Sequence, residues 1–385
     1  MPSALQTELR SELQRVTAAA RQPSVAADEP RHATAAAHGI IAHRGAVVAQ
    51  AHAGYAELFT DPATLAPKPR ALGSADIFDV ASLTKIFVAV TALCHLQSGD
   101  IDLQDTVVSH LPDFSGAGRE EVRIRHLLTH TSGLPAIFNH WDRPADRAER
   151  IGVVLSQQLQ HRPGQVHTYS CVGYQLLGLL LERRAGRRLG DLIATRLTDP
   201  LGLSETAYAP VDTDRVVPTE HQTEPPRGMV RGEVHDEAAW VLGQAGNAGL
   251  FSTATDMLRF AEAIRGAHDP ITPQIQELLG TDHLDPAQRE AAGYGQGVGL
   301  RIGDASFMGS DADGLLGHTG FTGTSMVIDP ARELSVVLLT NRVHPLRGAF
   351  TVQPLRRRVV DMAQQWVDQQ AITGTATATQ SSRRA

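Results

Sequence analysis

Lysine is nearly absent from this chain of 385 residues. Only Lys68 and Lys85 occur, and arginine supplies every other basic residue counted in the charge. Arginine cannot be deprotonated in proteins, whereas a desolvated lysine can. We therefore expect lysine to be kept where the chemistry needs an amine. Lys68 lies between two prolines in a segment typical of a solvated loop, so Lys85 is the lysine of interest.

Cysteines and long apolar runs are also scarce. Two cysteines, Cys94 and Cys171, cannot form a disulfide framework. No apolar stretch approaches the roughly 18 residues that a membrane span needs, and Glu8 and Glu12 interrupt the segment where a signal peptide would be apolar. These absences predict a cytoplasmic protein without a membrane partner. The net charge of −7 argues against a nucleic-acid platform.

The hydrophobic pattern divides the chain into strands, a long helical middle and further strands. Helical spacing of apolar residues predicts helices over 5–16, 82–97, 145–160, 173–197 and 354–370. A hairpin is predicted around 43–45, a proline-rich loop over 60–76, and strands over 297–302, 323–328 and 334–340. This order predicts an α+β fold, with a sheet built from both chain ends and flanked by helices.

The same pattern predicts one catalytic domain over 1–370. Its sheet region covers about 1–99 and 245–370, and a helical subdomain covers about 100–240. The tail, 371–385, is rich in Thr, Ala and Ser and is expected to be disordered. Nothing in the sequence indicates an oligomeric state.

Ser82-Leu83-Thr84-Lys85 begins the apolar helix. Residues three apart lie on one helical face, so the Ser82 hydroxyl would lie beside the Lys85 amine. A serine hydroxyl needs such a neighbour to become a nucleophile. Burial and the positive helix end would favour a neutral Lys85. A serine helix cap with a solvated lysine is the alternative.

Two further segments could contribute to a site. Tyr169-Ser170-Cys171 precedes a predicted helix, and a phenol beside a lysine cation ionises more readily and can act as a general base. His318-Thr319-Gly320-Phe321 follows a glycine-rich run, and an exposed strand edge there could pair with an extended acyl substrate. A packed tyrosine and an ordinary hairpin turn are the alternatives.

These three motifs, in this order, resemble those of the serine β-lactamase and penicillin-binding-protein superfamily. The resemblance is narrower to the class C β-lactamase-related group, which includes family VIII esterases, D-amino-acid peptidases and transacylases. It covers roughly residues 35–345 and includes several further segments: Gly99–Asp105, Ile124–Pro135, Pro200–Leu203, Ala248–Thr253 and Thr340–Arg342. It implies a β-lactamase/transpeptidase-like fold.

The resemblance also implies a role for each site residue. Ser82 would be the acylated nucleophile, Lys85 would relay its proton and hold positive charge, and Tyr169 would be the general base. The N–H groups of Ser82 and Phe321 would form the oxyanion hole. The residues expected to bind substrate are Cys171, His318, Thr319 and Gly320. The implied reaction passes the acyl group of a small ester or amide to water, an alcohol or an amine, without a metal or organic cofactor.

Two residues depart from the pattern of the superfamily. Cys171 stands where the group commonly has asparagine, and a thiol hydrogen-bonds only weakly. His318 replaces the lysine of true β-lactamases, and a histidine is mostly uncharged at neutral pH. Esterase or acyl transfer is therefore favoured over β-lactamase or DD-peptidase activity. A non-catalytic ligand-binding protein remains the other alternative.

Two weaker patterns in the sequence bear on metal and nucleotide binding. His126 and His130 have the spacing of two zinc ligands, but the glutamate of the zinc motif is missing between them. The glycine-rich segment 293–299 does not fit a dinucleotide fingerprint. The sequence predicts neither a metal nor a nucleotide cofactor.

Overall fold

The computed structural model describes residues 3–18, 20, 33–138, 146–347 and 350–382. The proline-, alanine- and charge-rich composition of 22–36 predicts a connection, which falls mostly outside these residues. The helices, in chain order, are α1 (Ala4–Ala18), α2 (Thr84–Gln97), α3 (Val107–His110), α4 (Ile124–Leu128), α5 (Arg147–Leu155), α6 (Cys171–Ala185), α7 (Leu189–Ile193), α8 (Glu237–Leu242), α9 (Ala254–Gly266), α10 (Pro273–Gly280), α11 (Pro286–Ala292) and α12 (Gln353–Ser382).

The strands lie at both ends of the chain. They are β1 (Ala36–His43), β2 (Ala46–Phe59), β3 (Leu65–Ala71), β4 (Phe78–Asp79), β5 (His221–Gln222), β6 (Gly228–Met229), β7 (Phe251–Ser252), β8 (Gly295–Gln296), β9 (Arg301–Ile302), β10 (Leu316–Thr319), β11 (Ser325–Asp329) and β12 (Leu334–Thr340). Among the described residues the large sheet has the order β3-β2-β1-β12-β11-β10-β9-β8, and each neighbouring pair is antiparallel. The predicted antiparallel sheet built from both chain ends is confirmed.

Helices cover both faces of this sheet because its central strands are apolar on both sides. Alternate residues of β12 point to opposite faces. Val336 and Leu338 pack with α1 and α12, whereas Val337 and Leu339 join the larger core that holds α2, α6 and α9. The result is a sandwich of helices, sheet and helices. No helix in the described part of the chain is both long and apolar enough to span a bilayer.

Several local predictions differ from the structure. Part of the predicted loop over 60–76 is strand β3, where edge position tolerates Pro67 and Pro69. The predicted helix over 173–197 is broken at Gly186, which takes the left-handed conformation that ends α6.

The predicted strand over 297–302 is instead the turn and second strand of the hairpin β8–β9, closed by a hydrogen bond from Gly297 N to Leu300 O. Helix α12 is assigned to Ser382, and the expected disorder of the tail 371–385 stays a prediction. The division into a sheet region and a helical subdomain stays a prediction.

Candidate active site

Ser82 lies in a strained turn at the start of α2. The 3₁₀ turn Ala81–Leu83 precedes the helix, so Ser82 is outside the α-helix that the sequence predicted to include it. Ala81 has a φ of 48°, which is uncommon for a residue with a side chain. The buried Asp79 carboxylate accepts the Ala81 N–H at 2.8 Å and the His235 N–H at 2.7 Å. These bonds hold the turn that presents Ser82.

Lys85 is fully buried in the first turn of α2, one turn beyond Ser82. Its ammonium donates to Ser82 Oγ at 3.1 Å and to the main-chain carbonyl of Asn247 at 2.8 Å. It also lies 3.5 Å from Cys171 Sγ. The spacing predicted from the sequence therefore brings the serine and the lysine into direct contact.

The neutral form of Lys85 that burial was expected to favour is not supported. Burial is the largest effect and lowers its pKa, but electrostatic interactions with Cys171, Tyr169 and Asp236 and a hydrogen bond with Tyr169 offset it. The pKa of Lys85 is raised overall. With a raised pKa, Lys85 is an ammonium ion at neutral pH.

Tyr169 precedes α6, whose N-cap is the next residue, Ser170. The Ser170 hydroxyl accepts the Gly173 N–H at 3.0 Å and donates to Pro135 O at 2.7 Å, which fixes the chain just after Tyr169. Two cations lie against the phenol ring: Lys85 Nζ is 4.9 Å from its centroid and the Arg301 guanidinium is 5.2 Å away. Both cations therefore lie within the distance range of a cation–π contact with the phenol ring.

Cys171 is the first residue of α6 and lines the same cavity as Tyr169. Burial raises the pKa of its thiol even though Lys85 counteracts this effect. A protonated thiol is a poor nucleophile. Cys94, whose pKa burial raises to about 11, lies elsewhere on α2 as a packed side chain.

The segment His318–Phe321 ends β10 and turns directly against the Ser82 segment. The hydroxyls of Thr322 and Thr324 donate to Asp79 O at 2.8 Å and Val80 O at 3.0 Å. A Cβ at Gly320 would lie 2.5 Å from Val80 O and 2.1 Å from Thr324 Oγ1. Only glycine permits this approach, which places the Phe321 main chain beside the serine turn.

His318 is buried and uncharged. Burial, followed by the charges of Arg301 and Lys85, lowers its pKa well below the ordinary value. Its ring centroid lies 5.8 Å from that of Tyr169. The site therefore lacks the fixed positive charge that a lysine would supply at this position, as the sequence predicted from the identity of this residue.

A cavity of about 600 Å³ joins these elements. Of the residues singled out in the sequence, it is lined by Ser82, Tyr169, Cys171, Thr319, Gly320 and Phe321. Lys85 and His318 lie buried behind this wall. The structure therefore brings together every predicted site residue, while the role of each stays a prediction.

Three residues at the site were not singled out from the sequence. Asn247 supplies the carbonyl that holds Lys85, Arg301 lies over Tyr169, and Arg356 reaches the cavity from α12. Asn247 lies between Gly246 and Ala248, and Arg301 lies in a short strand, so neither carries a recognisable pattern. Arg356 lies within Arg356-Arg357-Arg358, where only the fold distinguishes the buried arginine from its neighbours.

The two histidines with zinc-like spacing accept hydrogen bonds from the backbone instead. His126 Nδ1 accepts the Arg123 N–H at 3.1 Å, and His130 Nδ1 accepts the Ser170 N–H at 3.0 Å. Each therefore uses a ring nitrogen that a metal would need. Within the described ranges, no group of three or more histidine, cysteine or acidic side chains is arranged to hold a metal ion.

The chain is similar to several known proteins in sequence or in structure. The chain is 29% identical over 338 residues to an N-acetylmuramyl-L-alanine amidase of Bacillus subtilis (strain 168), covering 79% of this chain and 76% of the amidase. The structure is similar to that of EstCE1, a hydrolase with promiscuous acyltransferase activity, with a TM-score of 0.73 and 22% identity over 94% of this chain and 100% of that one. It is also similar to simvastatin synthase from Aspergillus terreus, with a TM-score of 0.72 and 18% identity over 95% and 96% of the two chains.

The likeness to these solved structures establishes the β-lactamase/transpeptidase-like fold that the sequence predicted. The Beta-lactamase family profile matches residues 18–361, a span that contains the Ser82, Tyr169 and His318 segments. The chain therefore belongs to the Beta-lactamase family of serine hydrolases and their relatives.

Proposed function

We propose that this protein is a serine esterase or transacylase that forms an acyl-enzyme at Ser82. The observation that carries the proposal is the contact between Lys85 Nζ and Ser82 Oγ at 3.1 Å, beside Tyr169 and at the wall of a cavity. A serine hydroxyl in contact with a buried cation and close to a candidate base is the arrangement that nucleophilic catalysis requires.

In the proposed first step, Ser82 Oγ bonds to the carbonyl carbon of an ester or amide. Its proton passes through Lys85 to the oxygen of Tyr169, the proposed general base. The N–H groups of Ser82 and Phe321 bind the oxyanion. The bond to the leaving group then breaks, and the leaving group takes the proton.

In the second step, water or an alcohol or amine attacks the acyl-Ser82 carbonyl. Tyr169 accepts the proton of the attacking group, and Ser82 Oγ leaves with a proton returned through Lys85. These steps need no metal or organic cofactor, because Lys85 and Tyr169 supply the proton transfers. A small ester or amide substrate and a cytoplasmic location complete the proposal.

Within this proposal, an amide substrate is supported by the Bacillus subtilis relative that is named as an amidase. An ester and an amide differ in the bond that is cleaved and not in the nucleophile. The buried, uncharged His318 supports substrates without a terminal carboxylate, so it weighs against DD-peptidase or β-lactamase activity.

The first test is the intact mass of the protein after brief exposure to p-nitrophenyl acetate and, separately, to a penicillin. The matched control is Ser82→Ala. We expect an acetyl adduct that depends on Ser82 and no lasting penicillin adduct. A lasting penicillin adduct would instead indicate a DD-peptidase-like enzyme. An adduct that persists in Ser82→Ala would exclude Ser82 as the nucleophile, and a folded wild-type protein without any adduct would favour a non-catalytic binding protein.

A further inference from the structure

Arg356 connects the last helix to the turn that carries Phe321. It lies near the start of α12 and is 5% exposed. Its Nη2 donates to Gly320 O at 2.9 Å and to Thr324 O at 2.7 Å, and its Nη1 donates to Gln353 Oε1 at 2.9 Å. A buried cation therefore binds the carbonyls of the first and last residues of this turn.

The Gly320 carbonyl has a particular relation to the candidate oxyanion hole. It belongs to the same planar peptide unit as the N–H of Phe321. A cation that binds the carbonyl end draws electron density from the amide and strengthens the N–H as a donor, because hydrogen bonds at the two ends of a peptide unit polarise one another. Burial strengthens the effect, since water does not screen the guanidinium.

We propose that Arg356 is a positioning residue for catalysis: it fixes and polarises the Gly320–Phe321 peptide, whose N–H binds the oxyanion. This inference rests on the proposed acyl-enzyme function. Arg356 acts through the peptide and does not contact the reacting atoms. The polarised N–H donates to a carbonyl oxygen that becomes more negative in the transition state. The hydrogen bond therefore stabilises the transition state more than the bound substrate.

Arg342 provides a matched comparison on the same turn. Its Nε donates to Phe321 O at 2.6 Å, and its guanidinium lies 4.6 Å from the Phe321 ring. The carbonyl that it binds belongs to the next peptide unit, whose N–H is that of Thr322. If arginines only hold this turn in place, Arg342→Met and Arg356→Met should impair the enzyme in the same way.

The test is the pre-steady-state acetylation of Ser82 by p-nitrophenyl acetate in the full-length protein. We expect Arg356→Met to lower the acylation rate constant by about tenfold or more, while the half-saturating ester concentration changes by less than about threefold. Arg342→Met should lower that rate constant by less than about threefold. Arg356→Lys should recover part of the rate, because an ammonium can bind the same carbonyl as a point charge.

A second measurement separates polarisation from folding. The infrared carbonyl band of the ¹³C-acetyl-enzyme reports how strongly the oxyanion hole polarises the ester. We expect the band to move to higher wavenumber in Arg356→Met and to an intermediate position in Arg356→Lys. If Arg356→Met does not fold, Arg356→Lys carries both measurements.

The inference is overturned if the acylation rate and the band of the folded Arg356 variants match those of the wild type, or if Arg342→Met changes both equally. These outcomes leave the proposed function intact. A wild-type protein that forms no Ser82 adduct overturns the proposed function, and the inference about Arg356 with it.

Discussion

Lys85 Nζ lies 2.8 Å from the main-chain carbonyl of Asn247 and farther, at 3.5 Å, from Cys171 Sγ. The shorter bond is charge-assisted and does not depend on any side chain of residue 247. A thiol accepts hydrogen bonds weakly. The backbone therefore positions the lysine in this chain, which lacks the asparagine usual at position 171.

Removing the thiol tests this relationship. We expect Cys171→Ala to change the rate of Ser82 acetylation by p-nitrophenyl acetate by less than about threefold, because a weak contact is lost and the bond to Asn247 O remains. The pre-steady-state burst of p-nitrophenol measures this rate. A loss as large as that of a Lys85 variant would show that the thiol positions the lysine.

Removing the ammonium should have a much larger effect. Lys85→Met removes the cation that contacts Ser82 Oγ and faces Tyr169, and we expect the acylation rate to fall by at least about 100-fold. Circular dichroism checks that the variant is folded. Since the raised pKa keeps Lys85 charged at neutral pH, the wild-type rate should show no loss from its deprotonation between pH 7 and 10. A folded Lys85→Met protein with a wild-type burst would contradict the proposed mechanism.

The close approach at Gly320 predicts a steric effect of a single methyl group. Gly320→Ala forces a Cβ against Val80 O and Thr324 Oγ1, so we expect a loss of about 1–3 kcal/mol in unfolding free energy and a slower acylation. Gly152→Ala is the control, because no atom lies within 4 Å of the added Cβ in α5. There alanine should stabilise the helix by about 0.5–1 kcal/mol. Similar thermal unfolding curves for both variants would refute the expected clash.

The lowered pKa of Glu220 predicts that the folded protein loses stability in acid. Burial would raise the pKa of this carboxyl, but hydrogen bonds from His235 and Arg347 hold it at about 2, below the ordinary value of 4.5. A depressed carboxyl pKa contributes stability that is complete above pH 4.5 and is lost as the pH falls toward 2.

Chemical denaturation at several pH values measures this contribution. We expect the unfolding free energy of Glu220→Gln to be lower than that of the wild type at pH 7 and to depend less on pH between 4.5 and 2. Glu8→Gln is the control, since Glu8 is half exposed and pairs with Arg358 at the surface. Parallel pH curves for Glu220→Gln and the wild type would disprove the contribution of Glu220.

The sequence predicted the parts of the fold that depend on the spacing of apolar residues and on turn-forming residues. The apolar spacing of Leu5, Leu9 and Leu13 predicts α1, and the three residues lie in the core. The prediction failed where tertiary position overrides local preference. Strand β3 contains prolines because it lies at a sheet edge, a fact that only the pairing of distant strands reveals.

The same distinction applies to the site. The Ser82 and Lys85 contact follows from helical spacing within four residues and was predicted from it. The contacts of Asn247 and Arg356 join segments more than thirty residues apart in the chain, so no local pattern marks them. The charge of Lys85 was judged from burial and the positive helix end, whereas the groups that surround it raise its pKa.

The pairing of β1 with β12 makes the order of synthesis important. Ala37 pairs with Thr340, so the inner edge of β1 has no strand to bind until the ribosome has made nearly the whole chain. An unpaired strand edge is a template for aggregation, and contacts so distant in sequence form slowly. Phe321 follows β10 and lies beside the Ser82 turn, so these two segments meet only after the chain has been made beyond residue 321. A nascent chain therefore carries the proposed nucleophile long before it has both N–H groups of the proposed oxyanion hole.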